Sequence, residues 1–142
     1  MSLAVREYRD GDFEHISSNG NEFIDEYSEG LIGSGLEYNN TYVFTDDDKP
    51  FAIFLYKQYD RDRYYVCIFC IENLNRKHVA MLKDYWGRFI ETYKPIRLET
   101  TSIACEKLDR WHEFFGLKKE GTKRNYLGGK DYDMWGMVLD GN

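Results

Sequence analysis

One passage constrains the fold of this chain more than any other: two strand-like runs with a long helix between them. Tyr64 to Ile71 is dense in β-branched and aromatic residues, a composition that suits a pleated, half-buried surface. Lys77 to Tyr93 changes period and sets Val79, Leu82, Trp86, Phe89, Ile90 and Tyr93 along one helical face. Pro95 stops that helix, and Ile96 to Ile103 is strand-like again. Strand, helix and strand in succession predict a local parallel pair, because the crossover helix carries the chain back to the edge it left.

Elsewhere strands follow one another with short turns, which predicts antiparallel pairing. Val5 to Tyr8 is a short opening strand, and Asp10-Gly11-Asp12 is a turn. Asp12 is placed to cap a helix carrying Phe13 and Ile16, its carboxylate accepting the free amides of the first turn. Asn21 to Leu31 spaces Phe23, Ile24, Tyr27 and Leu31 helically, and Gly30, Gly33 and Gly35 break it. Thr41 to Thr45 and Phe51 to Tyr59 are strands joined across Asp46-Asp47-Asp48-Lys49-Pro50, read as a solvated acidic turn. Ala104 to Phe115 repeats the helical period with Leu108, Trp111, His112 and Phe115, and Gly116 ends it. Leu117 to Leu127 and Asp131 to Leu139 make a hairpin about Gly128-Gly129, since glycine accepts the positive φ of a tight turn. The expected fold is α/β (α+β), one domain over residues 1–142. Its sheet is mixed and mostly antiparallel, with about seven strands and about four helices.

Composition enters where it limits function. Aromatic residues make up 17% of the chain, enough for one core and too many for disorder. A formal charge of −6 disfavours nucleic-acid backbones and suits a cationic or amine-bearing partner. No apolar run reaches bilayer length, and Met1 to Asp10 has no cationic stretch leading into an apolar one, so no membrane or secretory signal is expected. Cys67, Cys70 and Cys105 read as reduced thiols; Cys67 and Cys70, three apart on a strand, point to opposite faces. His15, His78 and His112 share no ligand spacing, so no metal is expected. The wealth of Tyr and Phe suits self-association as a homodimer.

The stretch Leu108 to Gly121, LDRWHEFFGLKKEG, resembles the GNAT superfamily of acetyl-CoA-dependent N-acetyltransferases. Phe115-Gly116-Leu117 and Glu120-Gly121 sit at the family's spacing, with Leu117 where a Phe is usual. Val5-Arg6 followed by Asp12 and Phe13 is similar to the family's opening strand and turn. In length, opening and loop the chain also looks like the diverged GNAT-like internal virion proteins of tailed phages. The resemblance implies that the parallel strands splay to admit acetyl-CoA, the donor for acetylation of a primary amine on a small molecule or peptide.

The same resemblance assigns residues. Backbone at Cys70 and Ile71 would pair with the pantetheine arm, and the loop Asn75-Arg76-Lys77-His78-Val79-Ala80 would hold the pyrophosphate. Against the family's Gln/Arg-x-x-Gly-x-Gly/Ala, Asn75 and His78 depart and Ala80 conforms. A Cβ at the glycine position obstructs close approach of phosphate to backbone, whereas Arg76, Lys77 and His78 bring positive side chains. Glu72 is the implied base that takes the amine's proton, with Glu99 second. His112, at the spacing of the family's acid Tyr before Gly116, is the implied acid, with Tyr126 as the fallback. Two functions follow: a cytoplasmic acetyltransferase, or a scaffold that lost its cofactor site, as a protein housed in a virion would.

Overall fold

The structure, a computed structural model, describes residues 2–19, 32–33 and 40–139. Its elements are β1 (Leu3–Glu7), α1 (Asp12–Ser18), β2 (Thr41–Asp46), β3 (Lys49–Gln58), β4 (Arg63–Cys70), α2 (Arg76–Tyr93), β5 (Arg97–Ile103), α3 (Glu106–Phe114), β6 (Lys118–Leu127) and β7 (Lys130–Val138). Seven strands form one sheet in the order β1-β2-β3-β4-β5-β7-β6. The pairings β1 with β2, β2 with β3, β5 with β7 and β6 with β7 are antiparallel. β4 and β5 are parallel, as the crossover helix requires. The helix expected over Asn21 to Leu31 lies outside the described residues. Among the described residues no helix is long and apolar enough to cross a membrane.

The chain divides into two compact units. The first comprises Met1–Lys57 and Val66–Met81. Its core gathers Ile16, Ile32, Val43, Ile53, Leu55 and Phe69, with Tyr8, Phe13, Cys67 and Ile71 packed against them. Phe51 to Leu55 are buried without a break, so β3 is covered on both faces rather than alternating in and out. The turn between β2 and β3 is only Asp47-Asp48, both at positive φ (49° and 65°), the backbone of a tight primed turn that aspartate tolerates. Asp47 and Asp48 are exposed, as expected of a solvated turn, and Asp46 before them is half-buried. The Asp47 carboxylate accepts from the Ser2 amide at 2.9 Å, and Asp46 reaches into the unit, as described below.

Asp12 does not cap α1. Gly11 occupies the cap position in left-handed backbone. The Asp12 carboxylate instead takes both Arg6 guanidinium nitrogens at 2.8 Å and the Arg9 amide at 2.7 Å. Burial raises its pKa, but the bonds from Arg6 and Arg9 outweigh that, and the net shift is downward. A charged bidentate partner wins over a first-turn amide.

The second unit comprises Gln58–Tyr65 and Leu82–Asn142. The later turns of α2 bury Leu82, Trp86 and Phe89. Phe89 meets Tyr64 edge-on at 5.8 Å, and Trp86 meets Phe115 likewise at 5.8 Å. The Trp86 indole also donates to the Phe115 carbonyl at 2.9 Å, pinning α2 to the end of α3. Gly116, at φ 88°, closes α3 as expected: its amide bonds the Glu113 carbonyl and Leu117's amide bonds that of His112. A Cβ at Gly116 would lie 2.5 Å from the Met137 methyl, the far end of a flexible side chain that can shift, so the positive φ is what favours glycine here. Gly128-Gly129 makes the turn between β6 and β7.

The parallel ladder runs through Arg63↔Arg97, Tyr64↔Leu98 and Tyr65↔Glu99. Past that last pair, the amide of Thr101 is taken by the Tyr65 hydroxyl at 3.2 Å. For that amide a side-chain hydroxyl is the partner, while β5 stays paired with β7 on its other edge.

Candidate functional site

The first unit carries the end of β4 and the head of α2. The Ile71 amide bonds the Phe51 carbonyl at 3.0 Å, toward β3. Backbone direction alternates along a strand, so the polar groups of Cys70 face the opposite edge of β4. The Cys70 thiol is buried, and that burial, with Cys67 adding to it, pushes its pKa up to about 12. It serves as a packed apolar group rather than a nucleophile.

At the head of α2, Asn75 is the cap. Its side-chain oxygen accepts the His78 amide at 2.9 Å, and His78 Nδ1 accepts the Asn75 amide at 3.2 Å. This is a reciprocal capping box built from Asn and His. The Asn75 carbonyl takes the Val79 amide at 3.1 Å, so Val79 and Ala80 already lie within the helical ladder. The amides left at this terminus are those of Arg76 and Lys77, whose side chains are exposed.

His78 is 7% exposed and is not the open phosphate-facing cation that the sequence suggests. Its Nδ1 accepts an amide proton, so the ring's own N–H is on Nε2, which donates to the Asp46 carboxylate at 2.8 Å. The ring stacks on Phe51 at 4.1 Å and 17°. Both nitrogens and one face of the imidazole are therefore engaged by protein. Glu72 lies two residues past the end of β4 and is exposed, with its backbone amide 3.5 Å from the Asn19 carbonyl.

The remaining candidates lie in the second unit. Glu99 is tied to Arg97 Nε at 2.8 Å and lies 3.9 Å from Arg63. Arg97 also forks onto Glu120, so Glu99 belongs to an ion-pair network across the sheet rather than standing free as a base.

His112 is 9% exposed on α3. Its Nδ1 lies 2.7 Å from the Leu108 carbonyl, which only accepts, so that nitrogen carries the proton. The ring stacks on Trp135 at 4.7 Å. Burial lowers its pKa, against the raising effects of the Leu108 carbonyl, Asp109 and Asp133. Burial favours the neutral ring, which with its proton on Nδ1 offers Nε2 as an acceptor.

Tyr126 is 43% exposed and meets Tyr132 edge-on at 5.8 Å, with Lys123 over its ring at 4.6 Å. Tyr132 and Trp135 are three apart on β7 and so face opposite ways. The two candidates for the proton donor thus pack on opposite faces of that strand.

This architecture is that of the GNAT acetyltransferases. The chain is similar to Ard1 from Thermoplasma volcanium (TM-score 0.75, 12% identity, 98% of this chain and 99% of that one). It is also similar to the ribosomal-protein-S18-alanine N-acetyltransferase from Escherichia coli (TM-score 0.76, 15% identity, 99% and 96%). A GNAT family acetyltransferase from Elizabethkingia anophelis with acetyl-CoA bound gives a TM-score of 0.70 at 12% identity over 96% and 98%. At these identities the likeness is one of fold. No protein-family model matches the sequence, and no curated protein does.

The functional group missed in the sequence is the set Asn75, His78, Asp46 and Phe51. Half of it had a local signal: Asn75-x-x-His78 has the spacing of a cap and its reciprocal partner. Asp46 lies 32 residues away from His78 and carried none.

Proposed function

We propose that this protein is a GNAT-type acyltransferase that takes acetyl from acetyl-CoA to a primary amine of a small molecule or peptide. The observation that carries this reading is the donor set at the head of α2. The amides of Arg76 and Lys77 are left over by the Asn75–His78 box, and two cationic side chains stand at the same terminus. Helix-end amides with cations suit a diphosphate, because the helix dipole and both charges favour an anion there. The polar backbone of Cys70, turned away from β3, is the group for the pantetheine arm. Acetyl-CoA supplies the activated acyl group. Glu72, an exposed carboxylate just past the end of β4, takes the proton of the attacking amine, directly or through water. His112 serves as an acceptor at Nε2, and Tyr126 remains a hydroxyl donor.

Thermal denaturation tests this reading. A ligand selective for the folded state stabilises it by about 2.7 kcal/mol at one hundred times its Kd, so millimolar acetyl-CoA is expected to raise Tm by several degrees. No shift at that concentration removes the enzyme reading.

A second reading has its own support. Neither His112, neutral and stacked, nor Tyr126, on the far side of β7, is a preformed acid. A GNAT-shaped scaffold without catalysis, such as a virion component, fits that pair, and it predicts no acetyl-CoA response.

A further inference from the structure

Glycine at the His78 position of such a loop serves by having no side chain. This chain has put there one of its most tightly held side chains. The His78 ring is bonded at Nδ1 by the Asn75 amide, at Nε2 to the Asp46 carboxylate, and stacked on Phe51. His78's own amide is bonded to the Asn75 side chain. Asp46 is the last residue of β2, immediately before the Asp47-Asp48 turn, so the bond fastens the head of α2 to the β2–β3 hairpin.

We infer that His78 is a positioning residue that stands in for the missing glycine: it ties the first turn of α2 to Asp46 and so presents the Arg76 and Lys77 amides to an anion. The proposal rests on the acetyl-CoA reading above, but its central claim concerns this chain's own contacts. Capping accounts for the choice of amides. The box consumes the N–H groups of Asn75 and His78 and leaves those of Arg76 and Lys77, which lie between them, to an outside acceptor. A helix head held at three points loses little further freedom when an anion binds, and that preorganisation raises affinity. The imidazole need not touch the ligand. Its contribution is to keep the donors in place, while the charges come from Arg76 and Lys77.

Restoring the family's residue gives opposite signs for this proposal and its rival. If His78 is a positioning residue, His78→Gly weakens acetyl-CoA binding about five- to tenfold, the scale of a lost cap. If its Cβ merely obstructs the phosphate, the same variant binds more tightly. Asp46→Ala releases the clamp without altering α2, and is expected to weaken binding to a similar degree. Asp46→Asn keeps an oxygen for Nε2–H and is expected to bind at or slightly above wild type, since a nearby negative charge is also gone.

Kd is measured by calorimetry well below each variant's Tm, so that lower stability alone does not move it. The clamp has a second readout without ligand. Hydrogen exchange at the His78 and Val79 amides should be fast in Asp46→Ala and slow in wild type and Asp46→Asn. Unchanged or tighter binding by His78→Gly overturns the proposal. So does equal protection of those amides in Asp46→Ala and wild type. If wild type itself binds no acetyl-CoA, the proposed function fails, and the exchange experiment still decides the clamp.

Discussion

The two buried histidines make the most instructive comparison in the molecule. Each stacks on an aromatic ring, His78 on Phe51 and His112 on Trp135, and each bonds its own helix through Nδ1. The direction of that bond differs. His78 accepts at Nδ1 from an amide at a helix head, where N–H groups are in surplus. His112 donates at Nδ1 to the Leu108 carbonyl, one turn earlier in its own helix. The backbone group that each Nδ1 meets, an N–H or a C=O, therefore selects the tautomer. His78 is left with Nε2–H, satisfied by Asp46, whereas His112 is left with an Nε2 lone pair. One ring is a fastener and the other an acceptor, though from the sequence both looked like cations, His78 for phosphate and His112 for the leaving thiolate.

The largest effect expected from breaking this comparison is at Trp135. That ring is 2% exposed and covers His112, with the Lys119 ammonium 5.5 Å from its centre. Trp135→Ala should cost about 3–5 kcal/mol in chemical denaturation, the usual range for truncating a buried aromatic. Hydrating His112 should also bring its pKa back up toward the ordinary 6.5, as followed by NMR titration. A pKa that stays low in this variant would show that Trp135 is not the cause of the burial effect.

A middle-sized effect concerns pH. The His112 pKa is lowered by burial from 6.5, so below that value the unfolded chain binds more protons than the folded one. Stability then falls as pH falls, from the unfolded value down to the folded one, with a slope of at most about 1.4 kcal/mol per pH unit. His112→Asn removes the titrating group and keeps a side-chain donor for the Leu108 carbonyl. The stability difference between pH 7.5 and 5.5 should be smaller in that variant than in wild type. Equal slopes would mean that His112 does not titrate differently on folding. Asp12 and Glu120, whose pKa values are also lowered, act at more acidic pH and are common to both proteins.

Much of the frame was legible because its signals are local. The change of period from Tyr64–Ile71 to Lys77–Tyr93 and back produced the parallel pair, and Gly116 and Gly128-Gly129 marked a helix end and a hairpin that only positive φ permits. Local signals failed where a distant charge competed. Asp12 had the position of a cap, yet Arg6 on the neighbouring strand took its carboxylate. Glu99 stood where a base was expected, and Arg97 and Arg63 hold it. His112 looked able to carry charge because nothing in its own helix reveals that Trp135 lies over it. Residue types and spacing indicate which groups are near a helix end, but not which groups from other elements will reach them first.

The smallest effect separates the two helix heads. α2 is capped by Asn75, whose amide oxygen takes the His78 amide at 2.9 Å. α3 is capped by Cys105, whose sulfur takes the Leu108 amide at 3.4 Å. Sulfur is a weak acceptor and carboxamide oxygen a good one, so the two caps occupy equivalent positions with unequal strength. Asn75→Ala should cost about 1 kcal/mol, within the range for losing a good N-cap, while Cys105→Ala should cost only a few tenths. The Asn75 variant keeps its backbone amide on His78 Nδ1 and the imidazole on Asp46, so the head of α2 should loosen without detaching. Urea denaturation of both variants reads this directly. If Asn75→Ala costs no more than Cys105→Ala, then His78 and Asp46 hold the helix head by themselves, and the cap contributes order to the first-turn amides rather than stability to the fold.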